Sequence, residues 1–415
     1  MPAPGTGKLA REMPVPTPLH PRTSALCTSL AWKEWAGMHA VCRYDTVVDR
    51  EYFALRHAAT VMDATPLYKV EVEGPDAALL LSRVTVRDFR RTAIGRVAYV
   101  CWTDERGRVI DDGTVTRLGD QHYRLTSAEP SWGWFSRHAE GLDVRLTDVS
   151  RELVALALQG PRARDVLREV AGEAATELRY FRATTAQLAG HPGVVTRTGY
   201  TGDLGYELWA PAGAALGLWD AILEAGRPHG LLPMGLDALD VARVEAGYVL
   251  NGVEYFSARR AWAPHQMSTP YELGFDWMVQ LDRPGLDDGG TEAFVGQRAL
   301  RAEAERGPKR RLVCLEVDWD EFERLHERFD VPPHLPLGTC REGVPVYLGS
   351  RQIGQATSRS WSPALKKYLA LATVAARHAT PGTELAIEVT VEYHRNPCPA
   401  RVLELPVLDL PRRKA

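Results

Sequence analysis

Two adjacent carboxylates, Asp111 and Asp112, stand inside the stretch "GRVIDDGTVTRL" (residues 107–118), which otherwise reads as a β-strand. A carboxylate set into a protein can accept a proton or stabilise a developing positive charge. Successive side chains of a strand point to opposite faces, so only one of the pair can look into a given site. The hairpin made with "RVAYVCWT" decides which. If "DERG" (104–107) is a four-residue loop, Thr103 faces Arg108 and Tyr99 lies opposite Asp112. A phenol and a carboxylate then project together, with Cys101 and Ile110 along the same face. Asp111 pairs with Val100 on the other face. A three- or five-residue loop would exchange the two aspartates. As ordinary acids near a sheet edge, both would discourage edge pairing. Gly113, following at once, marks a bulge or a close backbone approach and favours a site.

The elements that must position this pair are legible as changes of period. "DREYFALRHAAT" has the spacing of a short amphipathic helix, "YKVEVEG" alternates as a strand, and "GPDAALLLSRV" reads as a turn followed by a helix. A similar strand, "GP" and helix unit returns in "ELVALALQGPRARDVLREV" (152–170), which suggests a loosely duplicated α+β architecture. Two helical stretches flank the break at Pro228 to Pro233. From about Arg310 short alternating strands ("RLVCLEV", "VPVYLG", "QIGQATS", "YLALATV", "ELAIEVTVEY") separated by Gly and Pro predict a separate antiparallel β-domain, a barrel or jelly-roll-like sandwich. "RAEAERGPKRR" (301–311) is the linker, a solvated helix end running into a turn.

A chain of 415 residues exceeds one compact core and predicts two or three domains. With 50 Lys and Arg against 53 Asp and Glu, the net charge of -3 gives no electrostatic case for nucleic acid or an anionic membrane. A small-molecule ligand is the better expectation. Cys27, Cys42, Cys101, Cys314, Cys340 and Cys398 are scattered without metal or disulfide spacing, which suits a reducing cytoplasm. The first thirty residues are proline-rich and lack the apolar run of a signal peptide, and no later run is long enough to span a bilayer. Dinucleotide and P-loop glycine patterns are absent, and no metal is expected.

Several segments in order, "IGRVAYVCWTDERGRVIDDGTV", "VALALQGPRA", "RTGYTGDLGYELW", "LDVARVEAGYVLNG", "FVGQRAL" with "GPKRRLVCLEV", and "SPALKKYLALATV" with "PGTELAIEV", resemble the glycine cleavage T-protein family. This is a family of tetrahydrofolate-dependent aminomethyltransferases that also takes in folate-dependent demethylases. The resemblance covers roughly residues 45–408. It implies an α+β fold, a three-lobed cloverleaf around a central channel. Residues 1–30 would form an arm, 31–300 a folate-binding catalytic region of two interwoven lobes, and 308–410 a β-barrel.

The resemblance makes the second aspartate, Asp112, the catalytic group, and implies that Tyr99 contacts folate. The family's "GYTGEDGxE" corresponds to "GYTGDLGYE" and implies that Tyr200 and Glu207 bind the pterin. A pterin presents adjacent donors that a carboxylate accepts side by side. In the family pattern "GLxARDxLRLEAG" a folate-binding arginine precedes the aspartate; here "GLDALDVARVEAG" has Leu239 at that place. The second arginine is kept as Arg243, either an anion contact or the partner of Asp240 or Glu245 on its helix. "FDVSHMG" becomes "MDATPLY", putting Leu67 where a methionine lines the cofactor site.

The implied activity is transfer of a methyl or aminomethyl-derived carbon from a small substrate to tetrahydrofolate. The donor is either an aminomethyl-lipoyl carrier protein or a free N-, O- or S-methyl compound, the latter making the chain a demethylase. Trp32, Trp35 and "YFSARRAWAPHQ" with Arg259, Arg260, Trp262 and His265 depart from T-protein text and suit a small aromatic or anionic substrate; an arm packing its own tryptophans is the alternative. A non-catalytic folate-binding regulator is a second class. It would need Glu207 but has no use for Asp112.

Overall fold

The structure, a computed structural model, describes residues 13–283, 293–336 and 338–414. The start of the expected arm, residues 1–12, lies outside the described residues. Three β-assemblies organise the chain: a six-stranded sheet, a five-stranded sheet and a closed barrel. Thr60–Asp63 enters the six-stranded sheet before the chain crosses to build the whole five-stranded sheet (Tyr68–Glu73 through Arg145–Asp148), then returns with Leu153–Gln159 beside it. The two lobes are therefore interwoven.

Both "GP" units place a helix against their own sheet. Ala77–Val84 buries Leu80, Leu81 and Val84, and Ala163–Ala171 buries Val166, Leu167 and Val170. Apolar residues at helical spacing face the sheet in each, which is what makes these segments helical. Trp102 and Trp219 are fully enclosed in the two cores.

Residues 13–30 pack on the body. Leu19 and Cys27 are buried in the six-stranded lobe, Thr17 donates to Asp63 (2.6 Å), and Arg22 forms a two-point pair with Asp220. Trp32 is half-buried beside the arm, with His20 5.1 Å from its ring, whereas Trp35 is half-buried against body clusters that hold no arm residue. Trp262 instead is 96% exposed.

The expected linker is the end of helix Gln297–Arg306 followed by Gly307. The barrel runs in the order Arg310–Val317, Lys367–Ala375, Arg351–Ser362, Val344–Leu348, Glu384–Val391, His394–Leu403 and closes on its first strand. Two of its elements escape a reading by alternation. Helix Trp319–Glu327, capped by Asp318 accepting from the Glu321 N–H (2.9 Å), seals the barrel with Phe322 and Leu325. Strand His394–Leu403 holds Pro397 and Pro399 at exposed positions while Cys398, Ala400 and Val402 turn inward. No helix among the described residues is long and apolar enough to cross a membrane, and the six cysteines are free thiols.

Candidate active site

The hairpin carrying the aspartates departs from the expected register. Thr103 pairs with Val109, so the loop is 104–108, held by Asp104 Oδ1 accepting from the Arg106 and Arg108 N–H groups (3.0 and 2.8 Å). That longer loop by itself would turn Asp111 toward the site. A bulge at Ile110 adds one residue and reverses the parity again, so Cys101 pairs with Asp112 and Tyr99 with Thr114. Asp112 therefore shares a face with Tyr99, one pairing step away rather than directly opposite. The expected pairs Tyr99–Asp112 and Val100–Asp111 are corrected; Asp111 faces Trp102. Gly113 is not the bulge. It passes so close to the next strand that a Cβ would meet the Thr126 carbonyl at 1.9 Å.

Two phenols hold Asp112. Tyr99 donates to Oδ2 (2.6 Å) and Tyr255 donates to Oδ1. Tyr99 packs edge-on to Phe275 and along Trp277. Asp111 is fully buried, accepting from Asn251 Nδ2 (2.8 Å) and the Glu129 N–H (2.9 Å), with the Tyr255 hydroxyl 3.4 Å away. Burial raises both carboxyls above their usual range. Asp111 is raised further by the charge on Asp112, whereas the Tyr255 and Tyr99 hydroxyls counteract the rise at Asp112. Two acids this close do not both ionise readily, and the one with two phenolic donors holds the charge more easily. The phenols of Tyr99 and Tyr255 are pushed well up by burial and by Asp112, so they stay neutral donors.

Glu207 lies on strand Gly205–Pro211 of the other sheet. Its Oε2 accepts from Thr198 (2.7 Å) and Thr196 (3.2 Å), and among the described residues Oε1 accepts no hydrogen bond. Burial raises this carboxyl and the two threonine hydroxyls lower it. No basic side chain among the described residues pairs with Glu207 or with Asp112. Leu67 is half-buried beside Trp209, whose indole N–H reaches the Thr196 hydroxyl (3.4 Å). The Leu67 carbonyl accepts from Lys69 Nζ (2.7 Å), a buried ammonium that also binds the Thr65 and Ser150 carbonyls and so fixes this turn.

A chain of contacts joins the two carboxylate centres. Thr198 leads along the backbone to Tyr200, whose hydroxyl donates to the Val249 carbonyl, and two residues later Asn251 reaches Asp111. Tyr200 packs on Tyr248 at 5.4 Å.

Arg243 takes a different part from the anion contact considered above. It is 1% exposed, with Nε on Asp240 (2.6 Å), one terminal nitrogen on Glu254 (2.8 Å) and the Tyr248 carbonyl (3.2 Å), and the other on Ser358 (2.6 Å). Asp240 and Glu254, not Glu245, are its partners; Glu245 binds Arg56 and Tyr52. With every nitrogen committed to protein, Arg243 fastens the 248–254 segment that delivers Asn251 and Tyr255. Leu239 fills an apolar cluster with Tyr52, Leu55 and Met234.

Sequence reasoning missed Tyr255 and Asn251. They stand in an irregular segment, where no strand or helix period states a side chain's direction. Thr196 and Thr198 were within reach: two hydroxyls two residues apart, beside a strand carrying Glu207, can share its face.

Comparison with known proteins agrees with this architecture. Residues 28–283 match the GCVT N-terminal domain and residues 310–409 the glycine cleavage T-protein C-terminal barrel domain. An aminomethyltransferase of Symbiobacterium thermophilum is 34% identical over 390 residues, covering 92% of this chain and 94% of that one. One from Shouchella clausii is 34% identical over 364 residues, covering 86% and 89%. The crystal structure of glycine cleavage system aminomethyltransferase T from Bartonella henselae superposes with a TM-score of 0.79 at 24% identity, covering 95% of this chain and 98% of that one. The fold, the two matched domains and these relatives together make the chain a member of the glycine cleavage T-protein family and an enzyme of the aminomethyltransferase type.

Proposed function

We propose that this enzyme transfers a one-carbon unit from a small methylated or aminomethylated substrate to tetrahydrofolate, with Asp112 as the catalytic carboxylate and Glu207 as the pterin anchor. The observation that carries this reading is a pair of half-buried carboxylates, Asp112 and Glu207, held among the described residues by hydroxyl donors and without a cation. A partly desolvated carboxylate lacking a positive partner costs stability, and such groups concentrate where a ligand supplies the missing donors. Glu207 fits a pterin because its free Oε1, beside an Oε2 steadied by threonines, can accept from an amino group and a ring N–H side by side. When bound, tetrahydrofolate supplies the nitrogen that takes up the carbon. Asp112 stabilises positive charge arising beside it and accepts a proton there, while Tyr99, Tyr200 and Leu67 shape the walls. Tyr255 orients Asp112.

The acid limb of the pH–rate profile is expected above the ordinary carboxylate value of about 4, because burial makes Asp112 harder to ionise. Tyr255→Phe removes a donor that favours the ionised form. It should move that limb to still higher pH and lower the rate by about tenfold or less. An unmoved limb would remove Tyr255 from the mechanism.

The function itself is tested by supplying purified enzyme and tetrahydrofolate with a panel of N-, O- and S-methyl compounds, and separately with an aminomethyl-lipoyl carrier protein. One-carbon-loaded folate from the carrier alone identifies a glycine cleavage component; formation from a free methyl donor identifies a demethylase. No product under any condition, with folate still bound, would leave a binder and defeat the proposal.

A further inference from the structure

Where the two lobes meet, a cleft of about 260 Å³ is lined by Arg87, Arg91 and Arg96 from the lobe of the five-stranded sheet and by Arg182 from the other. Arg96 and Arg182 face each other directly. They pair antiparallel in an isolated bridge, flanked by the Val97 N–H donating to the Phe181 carbonyl (3.1 Å) and the Ala183 N–H donating to the Gly95 carbonyl (2.8 Å). Like charges directly opposed across such a pair destabilise it. Arg87 is harder to keep charged than a free arginine, through burial and then through the like charge of Arg96. Among the described residues none of the four has a carboxylate partner, and Asp88, the one acid in the lining, already holds Arg90 through both oxygens (3.0 and 2.8 Å). Four uncompensated guanidinium groups around one concavity repel one another, and a multiply charged anion relieves that repulsion.

Both sides of this seam lead into the candidate active site. Strand Val97–Thr103 continues directly from Arg96, and its Tyr99 donates to Asp112 (2.6 Å). Arg87 donates to the Tyr99 carbonyl (3.3 Å) and lies over the ring of Trp277, which in turn packs along Tyr99. On the other lobe the Arg182 carbonyl accepts from the Arg197 N–H (2.8 Å), and Arg197 stands between Thr196 and Thr198, the two residues whose hydroxyls hold Glu207. Asp112 and Glu207 thus belong to different lobes, and their separation follows how the lobes are held at this junction.

We infer that this cleft is an effector site for a compact polyanion of the phosphate class, whose binding holds the two lobes together and strengthens tetrahydrofolate binding; the coupling to folate, though not the anion site, rests on the proposed function. Planar guanidinium groups take phosphate oxygens two-point, and a chain of two or three phosphates carries enough charge to offset arginines that converge from two lobes. A cleft below the ~300–1,000 Å³ of drug-sized pockets suits such a chain and leaves the base and sugar of any nucleotide outside. Fixing the lobes that carry Asp112 and Glu207 removes an ordering cost from folate binding, and the coupling is reciprocal, so bound folate tightens the anion by the same factor.

The test is calorimetric titration of the full chain with orthophosphate, triphosphate and ATP, in the wild type and in Arg91→Gln/Arg182→Gln, two residues outside the catalytic machinery. Triphosphate is expected to bind the wild type about tenfold or more tightly than orthophosphate, to weaken as salt is added, and to lose about tenfold or more in the variant. Equal affinities for triphosphate and ATP would assign the site to the phosphate chain alone, and tighter binding of ATP to a nucleotide; each supports the site. Saturating triphosphate should tighten tetrahydrofolate binding about fivefold or more in the wild type and leave it unchanged in the variant. Circular dichroism and tetrahydrofolate binding without anion confirm that the variant is folded. No binding of triphosphate, or binding undiminished in the variant, would overturn the site, and folate affinity unmoved by bound triphosphate would overturn its effector role. Failure of tetrahydrofolate to bind under any condition would overturn the proposed function and the coupling, while the anion titrations still decide the site.

Discussion

Asp112→Asn is expected to reduce one-carbon transfer by ~10²-fold or more, the scale of losing one proton-transfer or charge-stabilising group, while folate affinity stays nearly unchanged. The substitution keeps the shape of the side chain. It removes the negative charge that Tyr99 and Tyr255 now cradle. Asp111→Asn supplies the contrast. Asp111 is fully buried against Asn251 and the Glu129 N–H and touches the reacting side only through Tyr255 and the charge of Asp112. Asp112 ionises first, and Asp111, raised to about 8 by burial and then by the charge on Asp112, still holds its proton when it does, so the substitution leaves a neutral neighbour neutral. The acid limb should therefore stay in place, with the rate above it largely retained. Single-turnover rates across pH for both variants decide the matter. Equal losses at all pH values would mean that the two aspartates act as one unit, and no loss in either would make the pair structural.

Glu207→Ala should weaken tetrahydrofolate binding by on the order of 10- to 100-fold, since each charge-assisted hydrogen bond lost from an enclosed pterin edge costs ~1–3 kcal/mol. Thr198→Val, which removes only a hydroxyl holding Oε2, should cost a few-fold at most. Calorimetry on both variants separates a pterin anchor from a bystander: an unchanged dissociation constant for Glu207→Ala would put the pterin elsewhere. Stability provides an independent check. Because burial raises Glu207, the folded state binds its proton more tightly than the unfolded chain, so this group costs stability progressively as pH rises from its unfolded value of about 4.3 through its folded one. Glu207→Gln abolishes that cost, and its Tm at pH 8 should equal or exceed that of the wild type even as folate affinity falls.

Much of the architecture can be read along the chain because it depends on local periods. Alternation marks the strands of both sheets and most of the barrel, and apolar spacing marks the helices after each "GP" turn, since side-chain direction in a regular element repeats every two or 3.6 residues. The same period tells that Asp111 and Asp112 must face opposite ways. Which of them faces Tyr99 was beyond local rules. The turn is one residue longer than the four-residue reading, and only the Ile110 bulge, formed against the neighbouring strand, returns Asp112 to Tyr99's face. Arg243 carries the same lesson: its place on a helix permits several partners, and beside Asp240 on its own helix it takes Glu254 from the loop that follows and Ser358 from a barrel strand far along the chain. Tyr255 and Asn251, in a segment without a period, acquire their direction from that fastening together with the Tyr200 contact to Val249 and the packing of Tyr255 in a core cluster. Sequence by itself determined the elements, their faces and the residue types able to do this chemistry; tertiary packing decided which of those residues meet, because a bulge, a buried ion pair and an irregular loop are set by neighbours distant in the chain.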